Sequence, residues 1–76
     1  MILEKLQEIF RDILDDEKLV ITEHTTRDDL EGWDSLGTVS IIAAVSEEFN
    51  IKIGINEIDM FKDVNSIVSL IKKKME

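Results

Sequence analysis

Apolar residues recur at intervals of three or four in three separate segments of this 76-residue chain, and this spacing constrains its fold most. Residues three and four apart lie on the same face of an α-helix, so each segment predicts a helix with an apolar face. Residues 1–14 form the first segment and predict an amphipathic helix of about three to four turns. Its apolar positions are Ile2, Leu6, Ile9, Phe10 and Ile13.

The second segment predicts a helix over residues 35–49. Asp34 or Ser35 supplies the oxygen that caps its first turn, and Asn50 is a suitable residue to end it. One apolar face holds Leu36, Val39, Ile42, Ala43 and Phe49, and Ile41, Ala44 and Val45 widen it. We therefore expect much of this helix to be buried or to face a partner. The core residues predicted from that face are Val39, Ile42, Ala43 and Phe49.

The last third of the chain predicts a short third helix and a longer final one. The sequence NEIDMF at 56–61 begins with a good cap and packs Ile58 and Phe61 inward. Asp63 caps the final helix, in which Ile67 belongs to the core. The preceding IKIGI, residues 51–55, alternates as a strand does but has no segment to pair with, so we interpret it as an extended connector.

Residues 15–34 show no sustained periodicity and predict a long, mostly polar loop. Loops of this length are uncommon in small domains and are usually functional or disordered. Thr25 or Thr26 is able to cap a short helical turn within it. The fold predicted is a small all-α four-helix bundle, with three main helices, a short third helix and a long first loop. We expect residues 1–76 to form one domain.

The formal net charge of −8 argues against two classes of partner. Nucleic acids and anionic membranes attract basic surfaces, so neither is expected to bind here. Residues 12–34 hold nine acids and two bases, and thus seven of the eight net negative charges. This surface either keeps a small protein in solution or steers basic partners towards it.

Cysteine and long apolar runs are both missing from the sequence. Disulfides and thiolate metal sites are therefore excluded, and no membrane span is predicted. The acids of the long loop lack the spacing of an EF-hand, so no dedicated metal site is expected. We predict a monomer located in the cytoplasm.

Ser35 stands at the start of the second helix, in the sequence GWDSLGTVSII, and three roles suit it. As a catalytic nucleophile it needs a base, and His24 is the only histidine. Nothing places an oxyanion hole, however, and so small a bundle has little room for a closed pocket, so we do not predict an enzyme. As a helix cap it needs no further partner. As an acceptor it carries a group attached by another enzyme.

The stretch GWDSLGTVSIIAAVSEEFNIKI, with DVNSIVSLI in the last helix, resembles the acyl carrier protein family over nearly the whole chain. The resemblance implies that Ser35 bears 4′-phosphopantetheine, which a phosphopantetheinyl transferase moves from coenzyme A. It also implies that acyl groups travel as thioesters on the thiol of that arm. Further implied partners are a loading ligase or transacylase and synthase-type processing enzymes of fatty-acid, polyketide or specialised acyl biosynthesis.

The resemblance also implies roles for the neighbours of Ser35. Partner recognition is expected at Asp34, Leu36, Trp33, Glu47 and Glu48, and Trp33 is otherwise a core-edge residue with its N–H in solvent. In carriers that shelter an acyl chain, the predicted core opens to hold it; here that core is Val39, Ile42, Ala43, Phe49, Ile58, Phe61 and Ile67.

Two positions depart from carriers of general fatty-acid synthesis. Gly37 and Ser40 stand where those carriers have acids, and DSLGTV is similar to D-alanyl carrier proteins. One alternative is therefore a D-alanyl or aminoacyl carrier loaded by an adenylating ligase. Another is a helical interaction domain in which Ser35 is only a cap.

Overall fold

The computed structural model describes residues 2–76, which form three α-helices and two short 3₁₀ helices. The α-helices are α1 (Ile2–Ile13), α2 (Ser35–Phe49) and α3 (Val64–Met75), and the longer 3₁₀ helix is Ile55–Met60. The described residues contain no strand, which confirms the all-α fold, its short third helix and its long first loop. Met1, where the predicted first helix began, lies outside the described residues.

Carboxylate side chains fix where α2 and α3 begin. Asp34 Oδ1 accepts a hydrogen bond from Gly37 N at 2.8 Å, and Asp63 Oδ1 accepts one from Ser66 N at 2.7 Å. Each bond satisfies an N–H that the first turn of a helix leaves unpaired. Asn50 ends α2 in the left-handed conformation at φ 53°, which asparagine tolerates better than most residues. The predicted ends of α2 and the cap of α3 are confirmed.

The core lies between the three α-helices. Ile21 and Trp33, from the loop that precedes α2, also contribute to it. Phe61 and Ile67 are buried as predicted, whereas Ile42 and Phe49 are only partly buried. The buried apolar residues are Leu6, Ile9, Phe10, Ile21, Trp33, Ile41, Val45, Phe61, Val64, Ile67, Leu70 and Ile71.

The predicted inward face of α2 is wrong at two positions. Val39 is 64% exposed and Ala43 is exposed, while Thr38, Ile41 and Val45 are buried instead. The physical reason is that apolar residues occur on almost every side of α2. The spacing therefore predicts the helix but does not fix its rotation about its own axis.

Ile58 was also predicted to lie in the core and is 42% exposed. In a 3₁₀ helix residues three apart are eclipsed, so Ile58 stands on the same outer side as Ile55. Phe61 follows this helix at φ −86° and ψ 49°, where the backbone leaves the helical geometry and turns the ring into the core.

The α1–α2 loop, residues 14–34, is tied to the rest of the fold at both ends. Near α1, Arg11 Nε donates to Leu19 O at 2.7 Å. Near α3, Arg27 N donates to Lys62 O and Val64 N donates to Thr25 O, both at 2.9 Å. These bonds form the single β-bridge of the described residues, between Thr26 and Asp63. The end of the loop that leads into Ser35 is thus held against the start of α3.

Residues 2–76 contain neither a membrane-spanning helix nor a group of metal ligands. None of the helices there has the length and apolar character needed to cross a bilayer. No three His, Cys, Asp or Glu side chains there form a group that would hold a metal ion.

Two carboxylates beside α3 make the stability depend on pH. A hydrogen bond from the backbone N–H of Gly54, with a further contribution from Lys74, lowers the pKa of Glu57. The hydrogen bonds from Ser66 lower the pKa of Asp63. A carboxyl whose pKa is lower in the folded state stabilises the fold above the unfolded pKa and loses this effect as the pH falls through the folded one. We therefore expect the Tm to fall as the pH drops below about 4.

Thermal unfolding followed by circular dichroism between pH 7 and pH 2 checks this expectation. Asp63→Asn keeps a side-chain oxygen that is able to cap α3 but cannot be protonated, so the fall in Tm should become shallower. Asp59→Asn removes an exposed carboxylate that makes no side-chain hydrogen bond among the described residues, and serves as the control. An unchanged profile in Asp63→Asn would contradict the assignment.

Candidate functional site

Ser35 is the first residue of α2, and its side chain is exposed. The cap of this helix is Asp34, whose carboxylate accepts the hydrogen bond from Gly37 N. The Ser35 hydroxyl therefore takes no part in capping, and the interpretation of Ser35 as only a helix cap is wrong. The hydroxyl projects from a helix N-terminus, where unpaired N–H groups and the helix dipole favour a bound anion.

The guanidinium of Arg27 is the hydrogen-bond partner of the Ser35 hydroxyl. Arg27 Nη2 donates to Ser35 Oγ at 3.4 Å, and Arg27 Nε donates to Trp33 O at 3.2 Å. An arginine carries only donors and does not lose its proton in proteins, so it cannot act as a base towards the serine. His24 is exposed, and no hydrogen bond joins it to Ser35 in residues 2–76. The geometry thus gives no support to a serine nucleophile activated by His24.

Trp33 anchors the backbone directly before Asp34 and Ser35. Its side chain is 2% exposed and its ring meets that of Phe10 edge to face, with centroids 4.8 Å apart. Its Nε1 is buried and finds no hydrogen-bond partner within residues 2–76. The predicted position at the core edge, with the N–H in solvent, is wrong. A side chain so fully buried offers no surface to a partner. Trp33 instead holds the loop in place by packing in the core.

The loop also passes unusually close to the first turn of α2. A Cβ added at Gly37 would lie 2.5 Å from the carbonyl oxygen of Gly32, which belongs to the backbone. The approach leaves no room for a side chain at residue 37. Glycine at this position therefore allows the backbone of residues 32–34 to fold against the helix and place Ser35.

We expect Gly37→Ala to lower the free energy of unfolding by about 1–3 kcal/mol, the usual range for overpacking. Helix propensity alone predicts the opposite sign, since alanine is better than glycine by up to about 1 kcal/mol in a helix. Gly54→Ala is the matched control, because the atoms that its Cβ would meet belong to the flexible side chains of Asn56 and Glu57. Urea unfolding measures both variants. A stabilised Gly37→Ala would show that the loop yields without strain.

The exposed side of α2 presents an apolar stripe that begins next to Ser35. Leu36 is 81% exposed, and Val39 and Ala43 follow at helical spacing on the same side. Further along the helix, Glu47 and Glu48 are exposed. Of the residues predicted to meet partners, Asp34, Leu36, Glu47 and Glu48 are thus accessible. Val39 and Ala43 share the face of Leu36, as their spacing predicted, but this face is exposed and does not lie in the core.

Arg27 is the residue of this site that the sequence analysis missed. It lies eight positions before Ser35 in a loop without periodicity, so no local pattern relates the two. Its cation nevertheless suits a negatively charged group on Ser35. An exposed hydroxyl, a helix N-terminus and an adjacent guanidinium together fit a phosphate ester at this position.

Comparisons with known proteins agree with this arrangement. Residues 4–71 match the family described as "Phosphopantetheine attachment site". The chain is 36% identical over 75 residues to an acyl carrier protein of Thermosynechococcus vestitus, and the match covers 97% of this chain and 91% of that protein. The fold is similar to the solution NMR structure of holo acyl carrier protein from Geobacter metallireducens. The TM-score is 0.86 and the identity 33%, covering 96% of this chain and 84% of that one.

These matches confirm three predictions made from the sequence: the family, the prosthetic group and the role of a carrier rather than an enzyme. The prosthetic group is phosphopantetheine. Proteins of this family interact with the phosphopantetheinyl transferase that attaches it and with synthase-type enzymes. The family match includes most of α1 and α3 and the whole of α2, with Ser35 and the loop that positions it. This chain belongs to the acyl carrier protein family.

Proposed function

We propose that Ser35 is the attachment residue and that the protein carries acyl groups as thioesters on the arm. The observation that carries this proposal is the exposed Ser35 hydroxyl, which Asp34 releases from helix capping and which Arg27 contacts. The chain has no cysteine, so the reactive thiol comes with the arm. Phosphopantetheine supplies that thiol and a flexible length between it and the helix.

The residues of this site supply an acceptor and a charge environment, and not a catalyst. Ser35 Oγ becomes the bridging oxygen of a phosphodiester to phosphopantetheine. The pyrophosphate bond of coenzyme A breaks at the same phosphorus, and the adenosine half leaves. The serine proton passes to a group of the transferase, because Arg27 is unable to accept it. The N–H groups of the first turn of α2 favour the negative charge that the modification adds.

The cargo and the partners are proposed more broadly. We propose acyl intermediates of fatty-acid, polyketide or specialised biosynthesis, loaded by a ligase or transacylase. The apolar stripe of Leu36, Val39 and Ala43 beside Ser35 supports partners that dock partly by apolar contact. Glu47 and Glu48 are the only acids of α2, which supports a specialised role and keeps the D-alanyl or aminoacyl alternative open.

Asp34, Leu36, Glu47 and Glu48 remain the proposed recognition residues. Shelter of the acyl chain by Ile42, Phe49, Phe61 and Ile67 stays a prediction, as do the monomeric state and the cytoplasmic location. We also propose residues 1–76 as a single carrier domain, which the family match over residues 4–71 supports.

Intact-mass measurement tests the attachment. The purified protein is incubated with coenzyme A, Mg²⁺ and a broad-specificity phosphopantetheinyl transferase. We expect a gain of one phosphopantetheine unit, and peptide mapping should place it on Ser35. A protein that gains nothing, and carries no modified fraction at the start, would contradict the proposal.

A further inference from the structure

Arg27 lies in the most acidic part of the chain and has no carboxylate partner within residues 2–76. Asp28, Asp29, Glu31 and Asp34 all lie within seven residues of it. None of them is within ion-pair distance of its guanidinium, although three ion pairs form elsewhere in residues 2–76. Its guanidinium points instead towards the Ser35 hydroxyl. The loop therefore holds one positive charge beside the residue that receives a phosphate.

Two hydrogen bonds hold Arg27 in this orientation. Its backbone N–H donates to Lys62 O at 2.9 Å, which ties it to the start of α3. Its Nε donates to Trp33 O at 3.2 Å, and Trp33 is itself fixed in the core against Phe10. The side chain is partly buried as a result. A long side chain that is already ordered loses less entropy when it binds an anion.

The two terminal nitrogens of the guanidinium have unused donor capacity. Nη2 makes one contact, of 3.4 Å, with Ser35 Oγ, and Nη1 makes no hydrogen bond within residues 2–76. The phosphorus of an attached group is one bond from Ser35 Oγ, so its oxygens come within reach of these donors. Arginine binds phosphate through two parallel hydrogen bonds, which a lysine does not reproduce.

We propose that Arg27 pairs with the phosphodiester on Ser35 and holds the base of the arm against the α1–α2 loop. The inference rests on the proposed attachment at Ser35. The pairing offsets the repulsion between the phosphodiester and the carboxylate of Asp34, which is occupied in capping α2. Arg27 is thus a positioning residue, which fixes the direction in which the arm leaves the helix.

The test compares thermal unfolding of the unmodified and modified proteins in the wild type and in Arg27→Gln. We expect modification to raise the Tm of the wild type by about 2–4 °C, the size expected for one partly exposed ion pair in a domain of this length. This gain should disappear in Arg27→Gln and shrink at high salt. Arg27→Lys should retain part of the gain in Tm, because lysine keeps the positive charge but cannot form two parallel hydrogen bonds with the phosphate.

Arg11→Gln is the matched control. Arg11 also donates from Nε to a loop carbonyl, Leu19 O, but it contacts Glu8 and not Ser35. Its removal should lower the Tm of both forms equally and keep the gain on modification. A second readout is the ³¹P chemical shift of the phosphodiester. It should differ between wild type and Arg27→Gln, and high salt should move the wild-type signal towards that of the variant.

The outcomes separate this inference from the proposed function. If the wild type takes up no phosphopantetheine, the proposed function fails. If uptake is normal but the Tm gain and the ³¹P shift are the same in wild type and Arg27→Gln, the pairing is overturned and the attachment stands. A modified wild type without any gain in Tm and with a salt-independent ³¹P shift overturns the pairing as well.

Discussion

Ser35→Ala is expected to abolish phosphopantetheinylation completely and to leave the free energy of unfolding within about 0.5 kcal/mol of the wild type. The reaction needs the hydroxyl oxygen, so alanine offers the transferase no acceptor. The fold does not need that oxygen, because Asp34 caps α2 and the Ser35 side chain is exposed. Intact mass after transferase treatment measures the first effect, and urea unfolding measures the second.

Ser40→Ala is the control for this variant. Ser40 is an exposed serine of the same helix, five residues further on, so its removal tests for unspecific loss of labelling. It should take up one phosphopantetheine unit as the wild type does. Labelling of Ser35→Ala would contradict the attachment. A loss of about 1 kcal/mol or more in Ser35→Ala would instead indicate a capping role that the geometry assigns to Asp34.

The ends of the helices were predictable because local chemistry determines them. A carboxylate one residue before an apolar periodic segment satisfies N–H groups of the first turn, whatever the rest of the chain does. This predicted the role of Asp63 and limited the cap of α2 to Asp34 or Ser35, of which Asp34 is the cap. Asn50 was predictable for a similar reason, since few residues adopt a positive φ readily.

The rotation of α2 was not predictable, because it depends on contacts with α1 and α3. With apolar residues on almost all sides, either Val39 or Ile41 satisfies the helical pattern as a core residue. Packing selects Ile41 and leaves Val39 beside Leu36 at the surface. This rotation creates the apolar stripe next to Ser35. The residues wrongly predicted to lie in the core, Val39 and Ala43, are therefore part of the surface proposed to contact partners.

Ser35 itself was recognisable from the sequence, but the environment of its hydroxyl was not. The side chain of Arg27 contacts the Ser35 hydroxyl. The backbone beside Arg27 is held by the β-bridge between Thr26 and Asp63, which joins segments more than thirty residues apart. Trp33 is fixed in the core, and its carbonyl oxygen accepts a hydrogen bond that holds the Arg27 side chain beside Ser35. A motif around the serine therefore identifies the acceptor, while long-range packing determines the charge and the rigidity that surround it.

Phe10→Ala is expected to cause the largest loss of stability, about 3–5 kcal/mol. The ring is fully buried and meets the edge of Trp33, so its removal leaves a cavity between α1 and the α1–α2 loop. A domain of this length has a total stability of about 4–11 kcal/mol, so the variant should be near the limit of folding. Urea unfolding of the wild type and the variant at low temperature, followed by circular dichroism, measures the loss.

Phe49→Ala is the matched control, because Phe49 is only partly buried at the end of α2 and should lose clearly less. The fluorescence of Trp33, the only tryptophan, adds a second readout. In folded Phe10→Ala its emission should shift to the red as water reaches the loosened indole, whereas in Phe49→Ala it should not. Equal losses in the two variants would contradict the packing. A large loss with unshifted emission would mean that the loop collapses onto the cavity and keeps the indole of Trp33 out of water.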